Sequence, residues 1–178
     1  MAEKLAWMDE AYLGKYEAIG LDSEIKLQKP FEKPIEVTHK YSISSTESEE
    51  NNTYLSYNMV VGNAADSQMA MAFEVLDYAL LSAPGAPLKQ ALLDVKAGKD
   101  VYGSYDDGIL QPYFTVIAKG SNPDRKEEFV SVIRQVLGDI VKNGIDKKAV
   151  EAGINYFEFR YREADFSSYP KGLMYSLD

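Results

Sequence analysis

The sequence predicts an α+β domain in which helix pairs pack on one face of a mainly antiparallel or mixed sheet. Two observations carry this. Stretches of alternating or β-rich apolar residues are each followed by two stretches with helical spacing, and that order occurs twice. A hydrophobic content of 46% in 178 residues is enough for a real core and fits one or at most two compact domains.

The elements follow in order. Leu5, Met8, Tyr12, Tyr16 and Ile19 share one face of a helix expected over Glu3 to Ile19, with Gly20 as its stop. Pro30 and Pro34 bracket Phe31, Glu32 and Lys33, so residues 21–34 run extended as a linker. From Ile35 the period becomes two: Ile35, Val37, His39, Tyr41 and Ile43 alternate with polar residues. A polar run, Ser44 to Asn52, separates this expected strand from a second one through Leu55, Tyr57, Met59 and Val61, and a long hairpin joins them most simply.

Asp66 or Ser67 then caps a helix with Met69, Ala72, Phe73, Leu76, Ala79 and Leu80 on one side. The break at Ala83 to Pro87 restarts a helix with Pro87 near its first position. Residues 102–108 are read as turn-rich, leading into a buried strand from Tyr113 to Ala118. Asn122 and Pro123 open a helix with Phe129, Val132, Ile133, Val136, Leu137 and Ile140 along its stripe, closed by Gly144. Asp146 caps the last long helix, through Val150, Ile154, Phe157 and Tyr161. A turn at Ser167 to Pro170 precedes an apolar segment from Gly172, and the chain reaches Asp178 without a polar tail, as expected of a domain truncated at its C-terminus.

Composition narrows the function classes. With 19 Lys+Arg against 28 Asp+Glu, the net charge of −9 repels a phosphate backbone, and nucleic-acid binding is not expected. The absence of cysteine removes disulfides, thiolate metal sites and cysteine nucleophiles, and favours a cytoplasmic setting. No apolar run approaches a membrane span, so no membrane partner is expected. A two-histidine zinc motif cannot be built from the single His39, whose in-phase place in the alternating segment is that of a core or edge residue.

Asp106 and Asp107 offer adjacent carboxylates, but Asp-Asp-Gly is turn chemistry first, and a carboxylate-based hydrolase is the weakest reading. Glu47, Glu49 and Glu50 read as a solvated loop. No phosphate cradle and no Gly-x-Ser-x-Gly elbow occurs. Tyr102, Tyr105 and Tyr113 gather around the Asp106-Asp107 turn, which makes Tyr102, Tyr105, Asp106 and Asp107 the candidate surface or interface residues. On residues alone the chain has no catalytic residue, no metal ligand and no cofactor-binding residue, and a stand-alone peptide- or protein-binding module with a tyrosine-rich surface fits it.

The run Leu80-Leu81-Ser82-Ala83-Pro84-Gly85-Ala86-Pro87-Leu88-Lys89-Gln90-Ala91-Leu92 resembles the helix break in the second domain of presequence-protease-like peptidasomes, members of the insulinase/pitrilysin group of zinc metallopeptidases. Thr53 to Met59, Gly103 to Gly108 with Tyr113-Phe114, and Gly172-Leu173-Met174 echo the same domain in the same order. Asp22 to Phe31 resembles the linker that leaves the family's first domain.

The resemblance implies that residues 1–34 are a helix and linker leaving a catalytic domain, and that 35–178 are an α+β unit of a second, non-catalytic domain. It implies a parent that holds zinc in its first domain on an H-x-x-E-H helix and degrades small unstructured peptides. His39 is followed by Lys40-Tyr41-Ser42-Ile43, so no ligand of that motif maps onto this chain. The implied role is architectural, with the catalytic domain and the C-terminal half of the same polypeptide as partners.

Overall fold

A computed structural model describes residues 1–163 and 168–177. The fold is α+β as expected. Three strands, β1 (Thr53–Val60), β2 (Asp100–Asp106) and β3 (Tyr113–Ser121), form an antiparallel sheet in the order β1-β3-β2. Around it lie α1 (Ala2–Ala11), α2 (Ser67–Asp77), α3 (Pro87–Asp94), α4 (Lys126–Asn143), α5 (Lys147–Glu163) and α6 (Lys171–Leu177). Among the described residues no helix is long and apolar enough to cross a membrane.

The core follows from strand alternation. Leu55, Val101, Phe114, Val116 and Ala118 point to one face of the sheet and meet Leu80, Leu81, Leu88, Leu92, Phe129 and Ile133 from the helices. Burying side chains of this size stabilises by roughly 1.5–3 kcal/mol each. The α5 helix lies outside this layer, approaching α2 at Gly153, where a Cβ would sit 3.2 Å from both Tyr78 Cδ1 and Val75 Cγ1. Tyr156 stacks on Tyr78 beside it, with ring centroids 5.0 Å apart.

Local chemistry explains most boundaries. Asp66 Oδ1 accepts from Met69 N at 3.0 Å and starts α2. The helix runs on through a wider turn, Tyr78–Ser82, in which Ala83 N donates to Tyr78 O, five residues back, at 2.7 Å, and the break expected from Ala83 follows before α3. Pro87 opens α3, Gly144 closes α4 at φ 87°, and Asp146 Oδ1 accepts from Lys148 N at 2.9 Å at the start of α5.

Several expectations are corrected. The strand expected over Ile35–Ile43 and its hairpin with Leu55–Val61 do not form: among the described residues β1 pairs only with β3, and residues 35–43 join no ladder. Glu36 is drawn to Lys126 at the start of α4 (2.6 Å), and Tyr41 OH donates to Asn52 O, so the chain crosses the end of the sheet and does not run beside β1. His39 is therefore exposed, not in a core.

The first helix ends at Ala11, with a single tighter turn, Leu13–Lys15, after it. Among the described residues its apolar stripe stays exposed, with Tyr12 meeting only the nearby Trp7 ring, and a short helix without tertiary support does not propagate through Gly14. Residues 100–106 are a strand where a turn was expected, because Val101, Gly103 and Tyr105 alternate inward and the glycine disguises the pattern. Asn122 does not cap α4; its side chain is taken by Asn51, and one tight turn, Pro123–Arg125, leads into the helix. On α5, Ile154 and Tyr161 are more than half exposed, since the buried contact is centred on Gly153. Ser167 and Asp178 lie outside the described residues.

Candidate functional site

The helices cover one face of the sheet and leave the other open. Alternation places Tyr54, Ser56, Asn58 and Val60 of β1 on that open face, opposite Lys119, Ile117, Thr115 and Tyr113 of β3. Tyr102, Ser104 and Asp106 of β2 complete it. The face is polar and tyrosine-bearing, and its side chains hold one another: Tyr113 OH donates to Asp106 Oδ2 at 3.0 Å, and Thr115 Oγ1 donates to Asn58 Oδ1 at 2.6 Å. The Asp106 carboxylate next to the Tyr113 phenol pushes its pKa up. Lys119 Nζ lies 5.8 Å from the centroid of the Tyr54 ring, within cation–π range.

The predicted residues divide between the two faces. Tyr102, 39% exposed, and Asp106 belong to the open face. Tyr105 points the other way and stacks on Phe73 at 5.3 Å, its hydroxyl buried without a partner among the described residues. Burial raises its pKa, and the neighbouring charges of Asp107, Asp66 and Glu74 add to the shift. Asp107 is exposed in the turn. The two aspartates do not act as a pair: Asp106 Oδ1 already accepts from Gly108 N at 3.1 Å and Oδ2 from Tyr113, which is turn and strand chemistry. Among the described residues no three His, Asp or Glu side chains converge where a metal could sit.

Other features were not read from the sequence. Asp77, at the end of α2, points toward Gly103 of β2, where a Cβ would lie 3.0 Å from its Oδ1. That oxygen is buried without a partner among the described residues, while Ser82 Oγ donates to Oδ2 at 3.4 Å. Burial raises the Asp77 pKa, and the Ser82 bond offsets part of the rise. At the acidic edge, Tyr161 OH donates to Glu74 Oε2 at 2.7 Å, and burial, helped by that bond, pushes the phenol up to about 12.

The geometry presents a polar, tyrosine-bearing sheet face. The family model for the Peptidase M16 inactive domain matches residues 2–157. The chain belongs to that family.

The M16 inactive-domain match extends to curated relatives. Protein HypA of Clostridium perfringens (strain 13 / Type A) is 43% identical over 175 residues, 98% of this chain and 18% of that protein. Presequence protease 1, chloroplastic/mitochondrial, of Arabidopsis thaliana is 31% identical over 170 residues, 93% of this chain and 16% of its own length. The chain thus spans less than a fifth of the curated relatives it matches. Among solved structures, the inactive peptidase domain of a protein assigned as a zinc protease from Bordetella parapertussis superposes with a TM-score of 0.58 at 13% identity, covering 69% of this chain and 67% of that one. At that identity the likeness shows the fold. M16 inactive domains belong to a family of zinc metallopeptidases, in keeping with the resemblance seen in the motifs.

Proposed function

We propose that this chain is a non-catalytic wall domain of a zinc-dependent endopeptidase that degrades small unstructured peptides. The observation that carries the reading is the match of residues 2–157 to the M16 inactive domain, in a chain whose sheet leaves a polar, tyrosine-bearing face uncovered. In this reading zinc is bound elsewhere in the parent, and this domain buttresses the catalytic domain and lines the peptide chamber. Residues 1–34 leave the catalytic domain, residues 35–178 form the inactive unit, and the C-terminal half of the polypeptide follows. Tyr102 and Asp106, with Tyr54, are the open-face residues offered to the chamber or to a neighbouring domain; Tyr105 packs toward the helices and Asp107 is exposed in the turn after β2.

The test is zinc content and peptide hydrolysis of the full-length polypeptide beside this 178-residue chain. Zinc and cleavage in the parent, with neither in this chain, is the expected result. A parent without zinc or turnover overturns the peptidase reading in favour of a peptide-binding module that uses the tyrosine-bearing face.

A further inference from the structure

The first 43 residues contribute no buried side chain. A compact monomer of 19.9 kDa exposes about 8,700 Å². This chain exposes 14144 Å², roughly 5,400 Å² more, as much as both sides of an obligate interface bury together. Part of the excess is apolar: Ile25 is 75% exposed, Leu27 60%, Phe31 60%, Ile35 58% and Val37 66%. Monomers rarely leave so long an apolar run in water.

The later part of this segment, residues 28–41, is nevertheless held in place. Gln111, in the loop before β3, accepts from Gln28 N through Oε1 (2.7 Å) and donates from Nε2 to Gln28 O (3.1 Å), so one side chain grips both polar groups of a single residue's backbone. Glu36 pairs with Lys126 at 2.6 Å. Tyr41 OH donates to Asn52 O, and its ring meets Tyr54 edge-on at 5.8 Å. Gln111 lies at the end of the sheet where β1 finishes and Asn52 at the end where it begins, so the strap spans the length of the sheet. The Gln28 backbone and the Glu36 and Tyr41 side chains fasten the strap, while Leu27, Phe31, Ile35 and Val37 stay more than half exposed.

We infer that residues 1–43 are a docking strap, stapled to this domain through Gln28, Glu36 and Tyr41, whose outward side chains Leu27, Phe31, Ile35 and Val37 seat on the neighbouring domain of the same polypeptide. The inference rests on the proposal that this chain is part of a longer peptidase. The excess area fits an intramolecular occupant, because the relatives carry this segment in polypeptides more than fivefold longer. The strap holds six lysines against eight acidic residues, so it is nearly neutral and apolar contact decides the docking.

Hydrogen exchange of the full-length polypeptide and of this chain tests it. The expected result is that amides of residues 19–43 exchange at least about tenfold more slowly in the full-length protein than in this chain. Phe31→Asp with Ile35→Asp in the full-length protein removes that protection and leaves the amides of β1, β2 and β3 protected. Equal exchange in both proteins overturns the inference. A dimer of this chain with a protected strap overturns the assigned occupant in favour of a second copy. The readout is independent of activity: a protected strap in a parent without zinc sinks the peptidase reading and leaves the docking intact.

Discussion

Asn51 and Asn122, 71 positions apart, bind each other reciprocally: Asn51 N donates to Asn122 Oδ1 at 2.7 Å, and Asn122 Nδ2 donates to Asn51 Oδ1 at 2.9 Å. The pair ties the start of β1 to the turn that leaves β3. Asn51 holds φ at 57°, a left-handed conformation that asparagine tolerates and β-branched residues do not.

Asn122→Ala removes both bonds and strands the Asn51 amide. The expected loss is about 1–3 kcal/mol by chemical denaturation. Asn51→Val loses only the bond from Asn122 Nδ2 and adds backbone strain, so it is expected to be worse than Asn51→Gly, which loses the same bond without the strain. Equal stabilities for the two Asn51 variants would refute the role given to its backbone.

Gly103→Ala places a Cβ 2.3 Å from Leu81 Cδ1 and 2.6 Å from Thr115 O. We expect a cost of about 1–3 kcal/mol, typical of overpacking. Leu81→Ala in the same chain should restore little of it, since the second clash is with backbone. Full recovery in the double variant would show that the side-chain contact alone excludes a larger residue.

Asp77 gives a signed pH effect. Burial raises its pKa in the folded state above the ordinary carboxylate value of 3.8, so the fold binds a proton more tightly than the unfolded chain does. Its contribution favours folding most below that value and declines as pH rises through the folded pKa. Asp77→Asn should gain stability relative to the parent chain as pH climbs above about 4. A stability difference independent of pH would count against the raised pKa.

Tyr161 should appear as a tyrosine titrating at about 12 in ultraviolet absorbance, and Tyr161→Phe should remove that step. Because the folded pKa is raised, the contribution of this group is present below pH 10 and is lost as pH rises toward 12. The variant should cost about 0.5–1.5 kcal/mol at neutral pH through the bond to Glu74. An unchanged titration curve would show that the Glu74 contact does not persist in solution.

Much of this was legible in the sequence, and the exceptions have physical causes. Caps and stops such as Asp66, Pro87 and Gly144 are local chemistry, so spacing alone placed them. The core stripe of α4 was legible because Phe129 and Ile133 meet the sheet at helical period. Alternation over Ile35–Ile43 misled because period two shows only that a segment can pair, while the ladder needs a partner edge, and Glu36 and Tyr41 are engaged elsewhere. The strand at β2 was hidden because Gly103 replaces an apolar residue where Leu81 needs the room. The grouping of Tyr102 with Tyr105 failed for a related reason: once residues 100–106 are a strand, odd and even positions go to opposite faces.

The wide turn at Tyr78–Ser82 has an evolutionary consequence. A five-residue hydrogen-bonded loop absorbs one more residue than an α-turn without lengthening the helix by a full step. Each residue in a helix advances the side chains by about 100° around its axis. Deleting one residue there would restore ordinary winding and swing Leu80 and Leu81 off the sheet, or else carry α2 and its Tyr78–Tyr156 stack around with it. Length in this segment is therefore under stricter selection than composition: substitutions that keep small and apolar residues should survive across homologues, whereas single-residue gaps should be purged.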